Sequence, residues 1–117
     1  MISEAVLMDN MQYMAKFPDG FFDLAVVDPP YGIGVNKMTL GNGKISNRSK
    51  NKIWDNNIPS PVYFNELFRV SKHQIIWGGN YMTHYLKPTS AWIFWDKGNG
   101  ENDFADGELA WTSFNGA

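Results

Sequence analysis

An aspartate, two prolines and a tyrosine stand together at Asp28-Pro29-Pro30-Tyr31, directly after the apolar run Leu24-Ala25-Val26-Val27 and before Gly32-Ile33-Gly34. Pro29 forces Asp28 into an extended conformation. The two prolines fix φ at successive positions and remove two N–H donors. The product is a stiff loop that offers one carboxylate, bare backbone carbonyls and a flat aromatic ring on a short tether. Such a loop suits a planar ligand bearing an amino group. The two amine hydrogens go to the Asp28 carboxylate and the Pro29 carbonyl, and the ligand ring stacks on Tyr31. The exocyclic amine of adenine is a weak nucleophile because its lone pair is delocalised into the ring. Two acceptors favour a pyramidal nitrogen whose lone pair can attack an electrophilic methyl group, a gain of orientation and electrostatic stabilisation. A base paired inside a duplex cannot reach such a pocket and must be flipped out. Stacking on an aromatic ring offsets roughly 1–3 kcal/mol of that cost. The competing reading is a plain strand-ending turn. At about 5% usage per residue type, however, the tetrad arises by chance only about once in a thousand chains of this length.

The loop needs a strand to carry it. Phe22 to Asp28 reads as that strand, and its continuous apolar character predicts a parallel strand covered on both faces. Ala5-Val6-Leu7-Met8 predicts an earlier strand. Asp9 caps a helix from Asn10 to about Phe17, with Met11, Met14 and Ala15 on one face. Pro18-Asp19-Gly20 is a turn. Ser60-Pro61 opens a second helix with the buried stripe Phe64, Leu67 and Phe68, ending near Ser71. Gln74-Ile75-Ile76-Trp77 predicts a third strand closed by Gly78-Gly79, followed by a short helix over Asn80 to Leu86. Ala91 to Trp95 predicts a fourth strand, and Glu108 to Phe114 a fifth. Trp92, Trp95 and Trp111 read as core. In an open α/β sheet, ligands bind beyond the carboxyl ends of the strands, which is where Asp28 falls.

The chain has 117 residues, 44% of them hydrophobic and 15% aromatic, enough for one domain with a real core. It contains no cysteine, which excludes disulfides and thiolate metal sites. His73 and His84 are isolated, so no metal site is expected. No apolar run of about 18 residues suggests a membrane span. Nor does the N-terminus show a secretory pattern. A cytoplasmic setting is the expectation. The formal net charge is −2, yet five of the ten basic residues, Lys37, Lys44, Arg48, Lys50 and Lys52, fall in one stretch without Asp or Glu. Residues 35–57 predict a long, mobile basic surface loop beside the motif, suited to salt-sensitive phosphate contacts. A solvated loop that merely keeps the protein soluble is the alternative. Trp77-Gly78-Gly79-Asn80 ends another strand and could line the same pocket, with Asn80 giving a hydrogen bond, or it could be only a tight turn.

Asp-Pro-Pro-Tyr after a hydrophobic strand resembles the catalytic motif of the S-adenosylmethionine-dependent DNA amino-methyltransferases. The stretch from Asp9 through Leu24 to Gly34 is similar to their N-terminal segment. Ile76-Trp77-Gly78-Gly79-Asn80-Tyr81, Trp92-Ile93-Phe94-Trp95-Asp96-Lys97 and residues 103–114 are similar to phage and prophage-type members. The resemblance spans nearly the whole chain. It implies adenine N6 as the target and double-stranded DNA as the partner. It implies that Asp28 and the Pro29 carbonyl, with Pro30 stiffening the loop, hold the amine, and that Tyr31 stacks on the base. It places Asp9 near the adenosine of S-adenosylmethionine. Oligomeric state, a homodimer included, is left open.

One family feature is missing. The methyl donor is gripped in that family by a Gly-rich turn of the Phe-x-Gly-x-Gly type, and no such turn occurs here. The expected fold is therefore α/β, a Rossmann-like methyltransferase sheet that is incomplete. It would hold strands equivalent to 3–7 and lack strands 1 and 2, mostly parallel with a C-terminal antiparallel strand. Residues 1–117 would form a partial catalytic domain, and sequence beyond Ala117 would supply the Gly-rich turn. Two other readings stand beside this one: an amino-methyltransferase acting on RNA or a protein amide, and a noncatalytic nucleic-acid-binding fragment.

Overall fold

The computed structural model describes residues 1–32, 57–98 and 106–116, together with the backbone of 39–40 and 44–45. Helix α1 spans Asn10–Met14, where the Asp9 carboxylate accepts the Gln12 N–H at 3.1 Å. Its chain continues in turns and stops at Phe17-Pro18, where the residue before proline leaves the helical region. Strand β1 follows at Phe22–Val27. A short antiparallel pair, β2 (Thr39–Leu40) and β3 (Lys44–Ile45), comes next. Helix α2 covers Pro61–Val70, with Ser60 extended before it and Pro61 opening its first turn. Strand β4 (Ser71–Trp77) starts without a loop, because Ser71 is already extended at φ −126° and ψ 145°. Two 3-10 turns, Gly79–Tyr81 and Thr83–Tyr85, lead to β5 (Ile93–Asp96) and then β6 (Gly107–Thr112).

The main sheet has the order β1-β4-β6-β5. Strands β1 and β4 are parallel, with Leu24 opposite His73 and Val27 opposite Ile76. Strand β6 is antiparallel to both of its neighbours, β4 and β5. Three strands thus run one way and the last in sequence runs against them, lying inside the sheet. Both helices pack on one face. Met14, Tyr63, Phe64, Leu67, Val70, Ile76, Met82 and Trp111 form the core there. Tyr13, Phe17, Phe21 and Phe22 make an aromatic cluster where α1 meets the start of β1. Arg69 ties the helices together, donating to the Met14 and Phe17 carbonyls at 3.1 and 2.9 Å and to Glu66 and Asp19.

Several expectations change. Ala5 to Met8 forms no strand; Val6, Leu7 and Met8 are exposed, because no described strand lies beside this segment to pair with. The sheet accordingly has four strands rather than five. Among the described residues, strand β1 is covered on one face only. Ala25 and Val27 meet the core, while Leu24 and Val26 on the other face are 44% and 58% exposed, since no described element packs there. Trp111 is core as expected, but Trp92 and Trp95 are not: β5 is the far edge of the sheet, and Trp95 is 52% exposed. Within residues 35–57 the β2–β3 pair interrupts the expected featureless loop. The short helix expected over Asn80 to Leu86 is two 3-10 turns. No helix among the described residues is long and apolar enough to cross a membrane.

Candidate functional site

Because β1 and β4 are parallel neighbours, their carboxyl ends lie side by side. Asp28-Pro29-Pro30-Tyr31 leaves the first end, and Gly78-Gly79-Asn80-Tyr81 leaves the second. Asp28 is exposed, Pro29 buried, and Pro30 and Tyr31 half-buried. The Tyr31 hydroxyl donates to Asp28 Oδ1 at 2.7 Å. Burial pushes the Tyr31 hydroxyl well above its usual titration range, and the hydrogen bond and negative charge of Asp28 act in the same direction. Tyr31 therefore stays a neutral donor, and the carboxylate beside it is the acceptor.

Gly78 has φ +70°, a left-handed conformation that favours glycine. A Cβ built on it would overlap Cδ1, Cε1 and Cζ of Tyr31. Glycine is thus required twice over, by the backbone and by the tyrosine ring that lies on it. Gly78 also opens the turn in which the Tyr81 N–H bonds to the Gly78 carbonyl at 2.9 Å. That turn lays Tyr81 on Tyr31, the ring centroids 5.3 Å apart and the planes 21° from parallel. A Cβ on Gly79 would meet the Trp111 Cβ at 2.5 Å, so the second glycine lets the turn settle on the core.

Further along this edge, Trp77 meets Trp95 edge to face at 6.2 Å. Lys97 lies 5.2 Å over the Trp95 ring and pairs with Glu108. Glu108 also adds to the negative potential that keeps Tyr31 protonated.

The sequence-predicted residues fall as follows. Asp28, Pro29, Pro30 and Tyr31 are together. Asn80 is exposed on the neighbouring turn, and no hydrogen bond of its side chain is seen among the described residues. Asp9 caps α1 through Gln12. Lys37, Arg48, Lys50 and Lys52 lie outside the described residues, and Lys44 is described only as backbone of β3. Sequence reasoning set Gly78 at the edge of the pocket but did not name Tyr81 as a contact of Tyr31. The available signal was their position: they end the strand that pairs in parallel with the strand carrying Asp28.

The Gly78-Gly79 turn leaves no room to cradle a methyl-donor cofactor of adenosine type. The glycines of the second loop are filled against, Gly78 by Tyr31 and Gly79 by Trp111. Among the described residues no group of three or more His, Asp or Glu could hold a metal ion. A cavity of about 750 Å³ lies at the opposite end of β4, between Phe68, Gln74, Lys87 and Trp111, away from Asp28. We place the site at Asp28 because the acceptor carboxylate and the stacked rings converge there, whereas the cavity opens at the amino end of β4. Comparison with protein-family models and with curated proteins finds no match to this chain.

Proposed function

We propose that the chain carries the base-handling half of an S-adenosylmethionine-dependent DNA adenine-N6 methyltransferase. The reading rests on the resemblance of its motifs. The observation that carries it is the convergence of the Asp28 carboxylate with the Tyr31 ring at the carboxyl ends of two parallel strands. On this reading β1, β4, β5 and β6 correspond to strands 4 to 7 of that family's sheet. A flipped adenine stacks at Tyr31, and its amine donates to Asp28 and the Pro29 carbonyl. That pair of acceptors turns the nitrogen lone pair out of conjugation. No Gly-rich turn of the Phe-x-Gly-x-Gly type occurs in this sequence, so the chemistry assigned to this chain ends with holding and polarising the amine. Lys37, Lys44, Arg48, Lys50 and Lys52 would supply the phosphate contacts.

The test is formation of N6-methyladenine in duplex DNA by the full-length gene product supplied with S-adenosylmethionine. Asp28→Ala should lower the rate by roughly 10²-fold or more. A gene product that binds DNA without transferring methyl groups to it, with Asp28→Ala binding equally well, would make this a noncatalytic nucleic-acid-binding module.

A further inference from the structure

We propose that Tyr81 is the second wall of the base slot, and that the Tyr31–Tyr81 stack fills the slot until a base arrives. The inference rests on the base-handling reading above and adds a residue to it. Three of the contacts of Tyr31 matter here: its hydroxyl on Asp28 Oδ1 at 2.7 Å, its ring edge on Gly78, and its ring on Tyr81 at 5.3 Å. Two of the three imitate what a nucleobase would bring. The Tyr31 hydroxyl occupies a carboxylate oxygen that an amine would use. The Tyr81 ring occupies a face on which a base would stack.

Entry of a base is then an exchange. The incoming amine replaces the hydroxyl on Asp28, and the incoming ring replaces the Tyr31–Tyr81 contact with two contacts, one to each tyrosine. A planar base between two rings needs them about 7 Å apart, two aromatic thicknesses of ~3.5 Å. The centroids stand at 5.3 Å, so the pair must part by about 2 Å. Tyr81 can make that movement. It is 42% exposed and stands on a three-residue 3-10 turn between Gly78 and Met82, outside any strand. Tyr31 cannot move as freely, since the prolines before it set its backbone. Tyr81 is the moving wall and Tyr31 the fixed one.

The probe is a single-stranded oligonucleotide carrying one 2-aminopurine, whose fluorescence is quenched when it stacks on an aromatic ring. The chain, Tyr81→Phe, Tyr81→Leu and Tyr81→Ala are titrated with it, and circular dichroism confirms that each is folded. Tyr81→Phe should quench and bind like the parent. Tyr81→Leu and Tyr81→Ala should bind roughly tenfold more weakly, one lost stacking contact. Parent-like binding and quenching by folded Tyr81→Leu and Tyr81→Ala would remove Tyr81 from the slot and leave the Asp28 reading standing. No quenching by the parent chain, or quenching unchanged in Tyr31→Ala, would overturn the base site itself and this inference with it.

Discussion

Tyr31 reaches back three residues to place its hydroxyl 2.7 Å from Asp28 Oδ1. The same residue is asked to present its ring to a base, so ring and hydroxyl have separable roles. The hydroxyl orients the ring and holds one carboxylate oxygen. Removing it frees that oxygen for the ligand while keeping the stacking surface. Tyr31→Phe should therefore keep binding of a 2-aminopurine oligonucleotide within about threefold of the parent. Tyr31→Ala should lose roughly tenfold, the worth of one stacked base. Equal losses in both variants would mean that the hydroxyl, rather than the ring, is what the ligand uses.

Gly78 carries the ring of Tyr31 on its Cα, and its φ of +70° alone would penalise any side chain. Gly78→Ala meets both costs. The left-handed backbone is worth about 1–2 kcal/mol against alanine, and the overlap with Tyr31 adds a similar amount. A loss of roughly 2–4 kcal/mol in urea unfolding is expected. Because the overlap is with one side chain, Tyr31→Ala should relieve part of it, and the double variant should be more stable than the sum of the single losses by more than about 0.5 kcal/mol. Strict additivity would show that the strain is all in the backbone.

These two residues also show what was legible in the sequence and what was not. The strand under Asp28, the helix opened by Ser60-Pro61, and the last strand all have local signals: an apolar run, a Ser-Pro helix start and an alternating pattern. They appear within a few residues of where those signals put them. Contacts between loops have no such signal. Nothing in Gly78-Gly79-Asn80-Tyr81 taken alone says that it lies beside Asp28; the parallel register of β1 and β4 decides it. Ala5 to Met8 fails for a related reason. Its composition is that of a strand, but a strand also needs a neighbour, and sequence pattern does not count neighbours. The exposure of Leu24 and Val26 is the same effect on β1, whose apolar run predicts two covered faces where the described helices cover one.

Arg69 joins α1 to α2 with a fork that lysine cannot reproduce. Its guanidinium reaches two carbonyls at the end of α1, Glu66 through two nitrogens, and Asp19. Arg69→Lys should cost roughly 1–2 kcal/mol, since at least one of those acceptors goes without a protein donor. Asp19 is 83% exposed, so Asp19→Asn should stay within about 0.5 kcal/mol of the parent. The hydrogen bond from Arg69 lowers the Glu66 carboxyl below its ordinary 4.5. A lowered carboxyl stabilises the fold above that value, and the contribution is lost as the pH falls through the folded pKa. The acid side of the stability curve should therefore be flatter in Arg69→Lys. Unfolding midpoints at neutral and acid pH measure both effects.

Tyr63 tests the core under α2 from the alkaline side. It is 7% exposed and meets Phe64 edge to face at 5.3 Å. Burial pushes its hydroxyl up from 10.0 to about 12. The folded chain then holds a proton that the unfolded chain has already released. Stability is unaffected by this group below about pH 10 and falls as the pH rises from there through about 12. Tyr31 bends the curve the same way, since its hydroxyl is also raised, so the parent alone cannot separate the two. Tyr63→Phe removes one titration and keeps the ring. Its unfolding free energy should decline less steeply than that of the parent between pH 10 and 12, with the two curves parallel at neutral pH. Parallel curves across the whole alkaline range would mean that Tyr63 ionises alike in both states and that its hydroxyl reaches water in the fold.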